Sequence, residues 1–339
     1  MHNLRYAAEA AGIFSRALAT AENALGPGHP VVLAIVGNAG MNKADASDFD
    51  GAAPYFARHV EGAEKLYGPD DLTVAIGVHN LGMARSAQRR LPEARALLER
   101  ALRIRLAKLR PDHPMIASTL YELAEVARLE GHADEALADL DRAAEIDRRS
   151  DATSARVALA RRYRAKADLL VGLGRLAEAR VALAFAEEAL AGDPDPTQRA
   201  LTIESAADLL RASGRPREAV AEYGKAMPAL EARYGKNGPG IVDTLVGLGE
   251  AELAAGDVAA ALDTAERAVT VGTYRSLPAD QLGAAEFLLA RARYARGDDR
   301  PAALATVRAV RGRLAALPYP ADALPRIDRW LAAVSPRER

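Results

Sequence analysis

The apolar positions of this chain are filled mainly by alanine and leucine, and no long alternation of Val, Ile, Thr and Tyr interrupts them. Both residues lose little rotamer freedom in a helix, so the pattern predicts helices and no strand. The clearest stretch is 110–143, RPDHPMIASTLYELAEVARLEGHADEALADLDRA. It reads as a turn, a helix, a turn centred on Gly131 and a second helix. Small residues stand where the two helices would cross: Ala124 in the first, Ala136 and Ala143 in the second.

The same unit recurs along the chain. Turn positions fall at Arg5, Ser47, Arg89, Gly131, Gly174, Gly214, Gly256 and Gly297, at steps of 40 to 43 residues. Seven residues before the turns, from the second onward, stand Gly40, Gly82, Ala124, Ala167, Ala207, Gly249 and Ala290. Five after them stand Ala10, Ala52, Ala94, Ala136, Ala179, Ala219, Ala261 and Ala302. Twelve after them stand Ala17, His59, Ala101, Ala143, Ala186, Ala226, Ala268 and Ala309, with His59 the exception. A close helix crossing admits nothing larger than a methyl group, because an added methylene in a dense interface forces strain.

The markers predict an all-α chain of seven helix pairs over residues 29–318. A single second-type helix precedes them within 1–28, and a final helix with its tail follows at 319–339. The first of these, residues 4–25, carries apolar residues on more than one face (Leu4, Tyr6, Ile13, Phe14, Leu18). It reads either as a terminal cap or as half of a pair whose first helix lies upstream. In the last helix Ile327, Trp330, Leu331 and Val334 form a narrow apolar stripe, with Arg326, Asp328 and Arg329 on the other side, as a capping helix requires. The period slips at 147–151 and at 193–196, places for altered twist within one continuous array.

Helix-turn-helix units with small residues at these offsets resemble the tetratricopeptide repeat (TPR) family, whose usual unit is about 34 residues. The longer period, with phrases such as Leu25-Gly26-Pro27-Gly28-His29-Pro30 and Arg90-Leu91-Pro92-Glu93-Ala94, is similar to the kinesin-light-chain-like class. The chain departs from the family in having few of its packing aromatics; Phe14, Phe56 and Tyr223 recur in phase. The resemblance implies a right-handed α-α superhelix with a concave groove. It also implies a bacterial signalling context, such as the region attached to a serine/threonine kinase.

Composition narrows the function. Net charge is -1, from 45 basic and 46 acidic residues, so no bulk field draws the chain to nucleic acid or an anionic membrane. No apolar run approaches a membrane-spanning length, residues 1–6 have no signal-peptide core, and there is no cysteine. A cytoplasmic protein is expected. The six histidines lack metal-ligand spacing, and Walker, kinase-loop and GxSxG motifs are absent. No cofactor is expected. An enzyme would need a buried polar pocket with perturbed carboxylates, which the sequence does not locate.

What remains is the groove that the first helices of the pairs would line. In the family the residues thirteen, nine and six before each turn face the ligand, and positions ten before add to them. These place Asn38, Met41, Asn80, Met83, Tyr121, Glu122, Glu125, Arg164, Asp168, Glu204, Asp208 and Glu250 there. Asn38 and Asn80 resemble the amides that hold a peptide backbone in several family members, since an amide both donates and accepts. The family's carboxylate clamp would need basic residues where this chain has Ser118 and Glu122. The middle pairs collect acids, with Arg128, Arg161, Arg164 and Arg211 nearby. Two readings of those acids stand: a solvated floor of ion pairs, or a groove for a basic segment. The expected function is a non-catalytic protein- or peptide-binding scaffold. The alternative is a peptide sensor that changes curvature on binding.

Overall fold

The computed structural model describes residues 2–149, 153–192, 195–275 and 277–334. The two stretches of slipped period, 147–151 and 193–196, therefore lie partly outside the described residues, as does the end of the tail. Among the described residues there are sixteen α-helices, one short 3-10 turn and no strand. Helix α1 (His2–Leu25) is followed by seven pairs: α2 (Pro30–Asp45) with α3 (Phe49–Tyr67), α4 (Leu72–Ala87) with α5 (Leu91–Lys108), and α6 (Pro114–Glu130) with α7 (Ala133–Arg148). The series continues with α8 (Thr153–Gly172) and α9 (Leu176–Ala189), α10 (Pro196–Ala212) and α11 (Pro216–Tyr234), and α12 (Val242–Ala255) and α13 (Val258–Tyr274). The last pair is α14 (Ala279–Arg296) with α15 (Arg300–Ala315), and α16 (Leu324–Val334) follows. The chain divides into two compact units, Met1–Arg162 and Tyr163–Arg339, with the boundary inside α8.

Each pair is bent by one left-handed residue. Ser47 and Arg89 have φ of 59°, Gly131 83°, Gly174 and Gly214 73°, and Gly256 and Gly297 91°. These are the turn positions of the sequence, and glycine dominates them because an L side chain is strained there. Arg5 is a correction: it lies within α1, so the turn series begins at Ser47. Four of the first helices, α2, α4, α6 and α10, are capped at the other end by a side chain. His29 and His113 accept from the N–H of Val31 and Met115 at 3.2 Å through Nδ1, while Asp71 and Asp195 accept from Thr73 (2.7 Å) and Thr197 (2.8 Å). After His29, His113 and Asp195 a proline takes the first helical position, where its missing N–H costs nothing.

The small residues sit where the helices touch. A Cβ added to Gly40 would lie 2.6 Å from the Phe56 ring, one on Gly82 2.8 Å from Leu98, and one on Gly249 2.6 Å from Leu288. Ala124, Ala167, Ala207 and Ala290, which share that register, are all buried. The in-phase aromatics Phe56 and Tyr223 are fully buried, and Tyr223 fits because position 247 is glycine. His59, the exception in its alanine series, is buried against Gly37 and Gly77, so the space lost at one position is returned at two others. The last pair departs from the expected register. Ala302 and Ala309 are exposed, while Ala303 and Val310 take the buried places. Two residues, Asp298 and Asp299, separate Gly297 from α15, where a single residue follows each of the other turn glycines, and Asp299 is itself at φ 24°.

In the first unit α1 packs on α2, and Glu22 pairs with Arg58 of α3. Ile13 remains mostly exposed. In the second unit α16 packs on the last pair: Ile327 is fully buried, and Trp330 meets Phe287 and Tyr294 edge-on at 6.0 and 5.2 Å.

The left-handed turn predicts a pair of opposite effects. Ser47→Gly should stabilise the chain and Gly256→Ser destabilise it, each by about 1 kcal/mol, the scale of left-handed strain in an L residue. Urea denaturation of both variants checks this, and a loss of stability in Ser47→Gly would contradict it.

Candidate functional site

The first helices of successive pairs carry the candidate residues. In the first unit Asn38 of α2 is exposed and Asn80 of α4 half-buried, 42 residues apart. Neither amide has a side-chain hydrogen bond among the described residues. Met41 and Met83, three residues after the amides, are partly buried against the cluster of Ala52, Ala53, Phe56, Leu81 and Ala84.

On α6 the face changes character. The Arg162 guanidinium stacks 4.5 Å from the centre of the Tyr121 ring and lies 3.4 Å from the buried Asp147 carboxylate. Burial, with Glu125 one turn on, pushes Glu122 up to about 7 despite the nearby Arg162 and Arg161. Glu125 itself accepts from Arg128 at 3.2 Å. Burial and then the charges of Arg105 and Arg162 hold His79 down to about 3, so it is neutral. Arg105 is buried, donates to the Met115 carbonyl and the Thr119 hydroxyl, and is depressed by burial to about 10.

In the second unit Glu204 accepts from the Thr244 hydroxyl at 2.6 Å. Burial, together with Asp208 one turn on and Asp168, raises its carboxyl to about 8, against the pull of Thr244 and Arg164. Asp208 accepts from the Tyr223 hydroxyl (2.8 Å) and from Arg211 (2.7 Å). The other arm of Arg211 donates to Glu250 Oε2 at 2.8 Å. Glu250 Oε1 accepts from Arg326 of α16 at 2.7 Å and lies 3.5 Å from Arg291 of α14.

The structure thus joins Glu204, Asp208 and Glu250 to internal partners. Glu250 is withdrawn into the floor beneath three guanidinium groups, and its side chain is only 7% exposed. Among the candidate residues Glu122 and Glu204 are each raised by burial, beside an acid on the same helix. The described residues contain no group of three or more His, Asp or Glu side chains that could hold a metal. Sequence reasoning missed Arg162 and Arg326. Arg326 was assigned to the outer charged side of the last helix, yet it reaches a carboxylate 76 residues away. A signal existed: one further repeat length beyond Gly297 places Arg326 at the ligand-facing register, thirteen before the next turn.

A family model described as tetratricopeptide repeat matches residues 32–107, 73–149 and 198–272, more than half of the chain. The chain belongs to the tetratricopeptide repeat family. No curated protein matches it in sequence. Among solved structures this TPR chain is similar to the Rap conjugation gene regulator of plasmid pLS20 in complex with the Phr* peptide. The TM-score is 0.62 at 11% identity, over 89% of this chain and 84% of that one. It is similar to a Rap protein complexed with competence and sporulation factor, with TM-score 0.61 at 12% identity over 84% and 76%. BtubC (BKLC) from P. vanneervenii aligns with TM-score 0.51 at 19% identity, over 67% of this chain and 92% of that one. These likenesses bear on the fold. No helix among the described residues is long and apolar enough to cross a membrane.

The raised Glu204 makes stability depend on pH with a definite sign. Its folded value of about 8 lies above the ordinary 4.5. The contribution is therefore full below pH 4.5 and is lost as pH rises toward and through 8. Glu204→Gln should gain stability relative to the parent chain between pH 5 and 8.5, measured by urea denaturation across that range. A difference that does not change with pH would show that the carboxyl is not held protonated.

Proposed function

We propose that this TPR chain is a non-catalytic scaffold that binds an extended protein or peptide segment along the face of its first helices. The observation that carries this reading is the repeated amide pair, Asn38 and Asn80, at equivalent positions on α2 and α4 with no side-chain hydrogen bond among the described residues. An amide can donate to a backbone carbonyl and accept from a backbone N–H, so two in register suit an extended chain. The flanking Met41 and Met83 add an adaptable apolar floor. The acids of the second unit support binding less, because Asp208 and Glu250 already hold arginines of this chain. A basic segment would have to displace those internal cations.

The cytoplasm is the compartment this function implies. A role within a signalling protein, such as one carrying a serine/threonine kinase, follows from the family resemblance. The second reading, a peptide-sensing regulator, is favoured by likeness in fold to the two Rap structures, one complexed with competence and sporulation factor and the other with the Phr* peptide.

The test uses a random decapeptide display library selected against the intact chain. Peptides enriched on it should bind the Asn38→Ala/Asn80→Ala double variant about tenfold more weakly, since two hydrogen bonds are worth about 1–3 kcal/mol together. The melting temperature should not change, because neither amide has a partner to lose among the described residues. Equal affinity for the parent and the double variant would sink the amide reading.

A further inference from the structure

The second unit holds more cationic than anionic groups at one point of its first-helix face. Around Glu250 stand Arg211, Arg291 and Arg326, and among the described residues the only other carboxylate bonded to any of the three is Asp208, on Arg211. Both oxygens of Glu250 are already occupied, Oε2 by Arg211 and Oε1 by Arg326. Arg291 comes third. Its nearest guanidinium nitrogen stops 3.5 Å from Oε1, its Nε is buried with no acceptor, and it makes no side-chain hydrogen bond among the described residues. The Arg211 Nε is likewise buried without an acceptor.

A guanidinium carries five N–H donors and is more favourable when they are paired, and a buried donor left without an acceptor is costly. Arg291 is not sealed off, since about a quarter of its side chain is exposed and Arg326 is exposed to a similar degree. Its guanidinium lies 5.2 Å from the centre of the Phe287 ring, and Trp330 stands edge-on to the same ring. Burial, and the like charges of Arg326 and Arg211, hold Arg291 below its ordinary value against the pull of Glu250. Among the described residues no other carboxylate acts on it. The arrangement has donors to spare, an opening to solvent and an aromatic wall.

We propose that Arg291 and Arg326 form a subsite for a side-chain carboxylate of the bound segment, beside the aromatic wall of Phe287 and Trp330. The preferred partner is then acidic at this point, contrary to the basic segment that the formal count of acids implied. The proposal rests on the reading of the first-helix face as a ligand surface. It goes beyond that reading by naming the chemistry of one ligand residue and the side chains that receive it. Carboxylate and guanidinium match as parallel charge-assisted hydrogen bonds, which glutamine in the same place cannot reproduce.

The experiment compares acetyl-hexaglutamate-amide with acetyl-hexaglutamine-amide, both fluorescein-labelled, binding to the full chain by anisotropy. The glutamate peptide should bind at least tenfold more tightly, and its affinity should fall as salt rises. Arg291→Met keeps the bulk and the contact with Phe287 while removing the charge. It should abolish the preference with an unchanged far-UV circular dichroism spectrum, and Arg291→Lys should restore part of it. Equal binding of the two peptides overturns the carboxylate subsite and leaves the peptide-binding reading standing. Binding of neither overturns both. A glutamate preference that survives Arg291→Met also overturns the assignment, because the carboxylate would then be held elsewhere.

Discussion

The structure depends on how closely its helices approach each other. With aromatics at 5% of residues and alanine abundant, few side chains are large enough to bridge a wide gap. The helices must come close, and they do so where one presents a glycine or alanine to a bulky neighbour. Phe56 over Gly40, Leu98 over Gly82, Tyr223 over Gly247 and Leu288 over Gly249 are the same device repeated. Close packing of this kind gains many weak dispersion contacts and leaves no tolerance for an added methyl. The cost of a larger residue is visible at His59, which is accommodated only because two facing positions are glycine.

This constraint explains why so much of the fold is legible in the sequence. Small residues and left-handed turns are local requirements with fixed spacing, so each repeat states them again. The failures have equally local causes. Arg5 occupies a turn register but lies inside α1, since arginine carries no turn signal of its own and the spacing alone was extrapolated. Ala302 and Ala309 keep the numerical phase but lose the buried face, because one extra residue in the turn at Asp299 rotates α15 relative to the count. Spacing predicts position along a helix. It predicts the face only while the turns keep one length.

The candidate site was legible in part. Which residues fall on the first helices follows from the repeat, and Asn38 and Asn80 lie there with no side-chain hydrogen bond among the described residues. Charge was harder to read. Seven acids on the middle helices look like a negative surface in the sequence. In the structure Glu125, Asp208 and Glu250 hold arginines, while Glu122 and Glu204 are raised toward the neutral form. Glu125 and Asp208 take an arginine three residues on, but Glu250 takes Arg211 and Arg326, 39 and 76 positions away, and no periodicity announces which arginine reaches which carboxylate. Formal charge on a helix face is therefore a poor guide to the field a ligand meets, and the terminal arginines turn part of that face cationic.

The most direct test of the packing constraint is one substitution made at two helical glycines. Gly40→Ala places a methyl against the buried Phe56 ring, while Gly224→Ala, in the middle of α11, meets nothing within 4 Å. An alanine in place of a helical glycine is worth about 0.5–1 kcal/mol in propensity alone. Overpacking a dense crossing costs about 1–3 kcal/mol. Urea denaturation should show Gly224→Ala more stable than the parent chain and Gly40→Ala less stable. If both variants gain stability, the close crossing is not what holds these helices together.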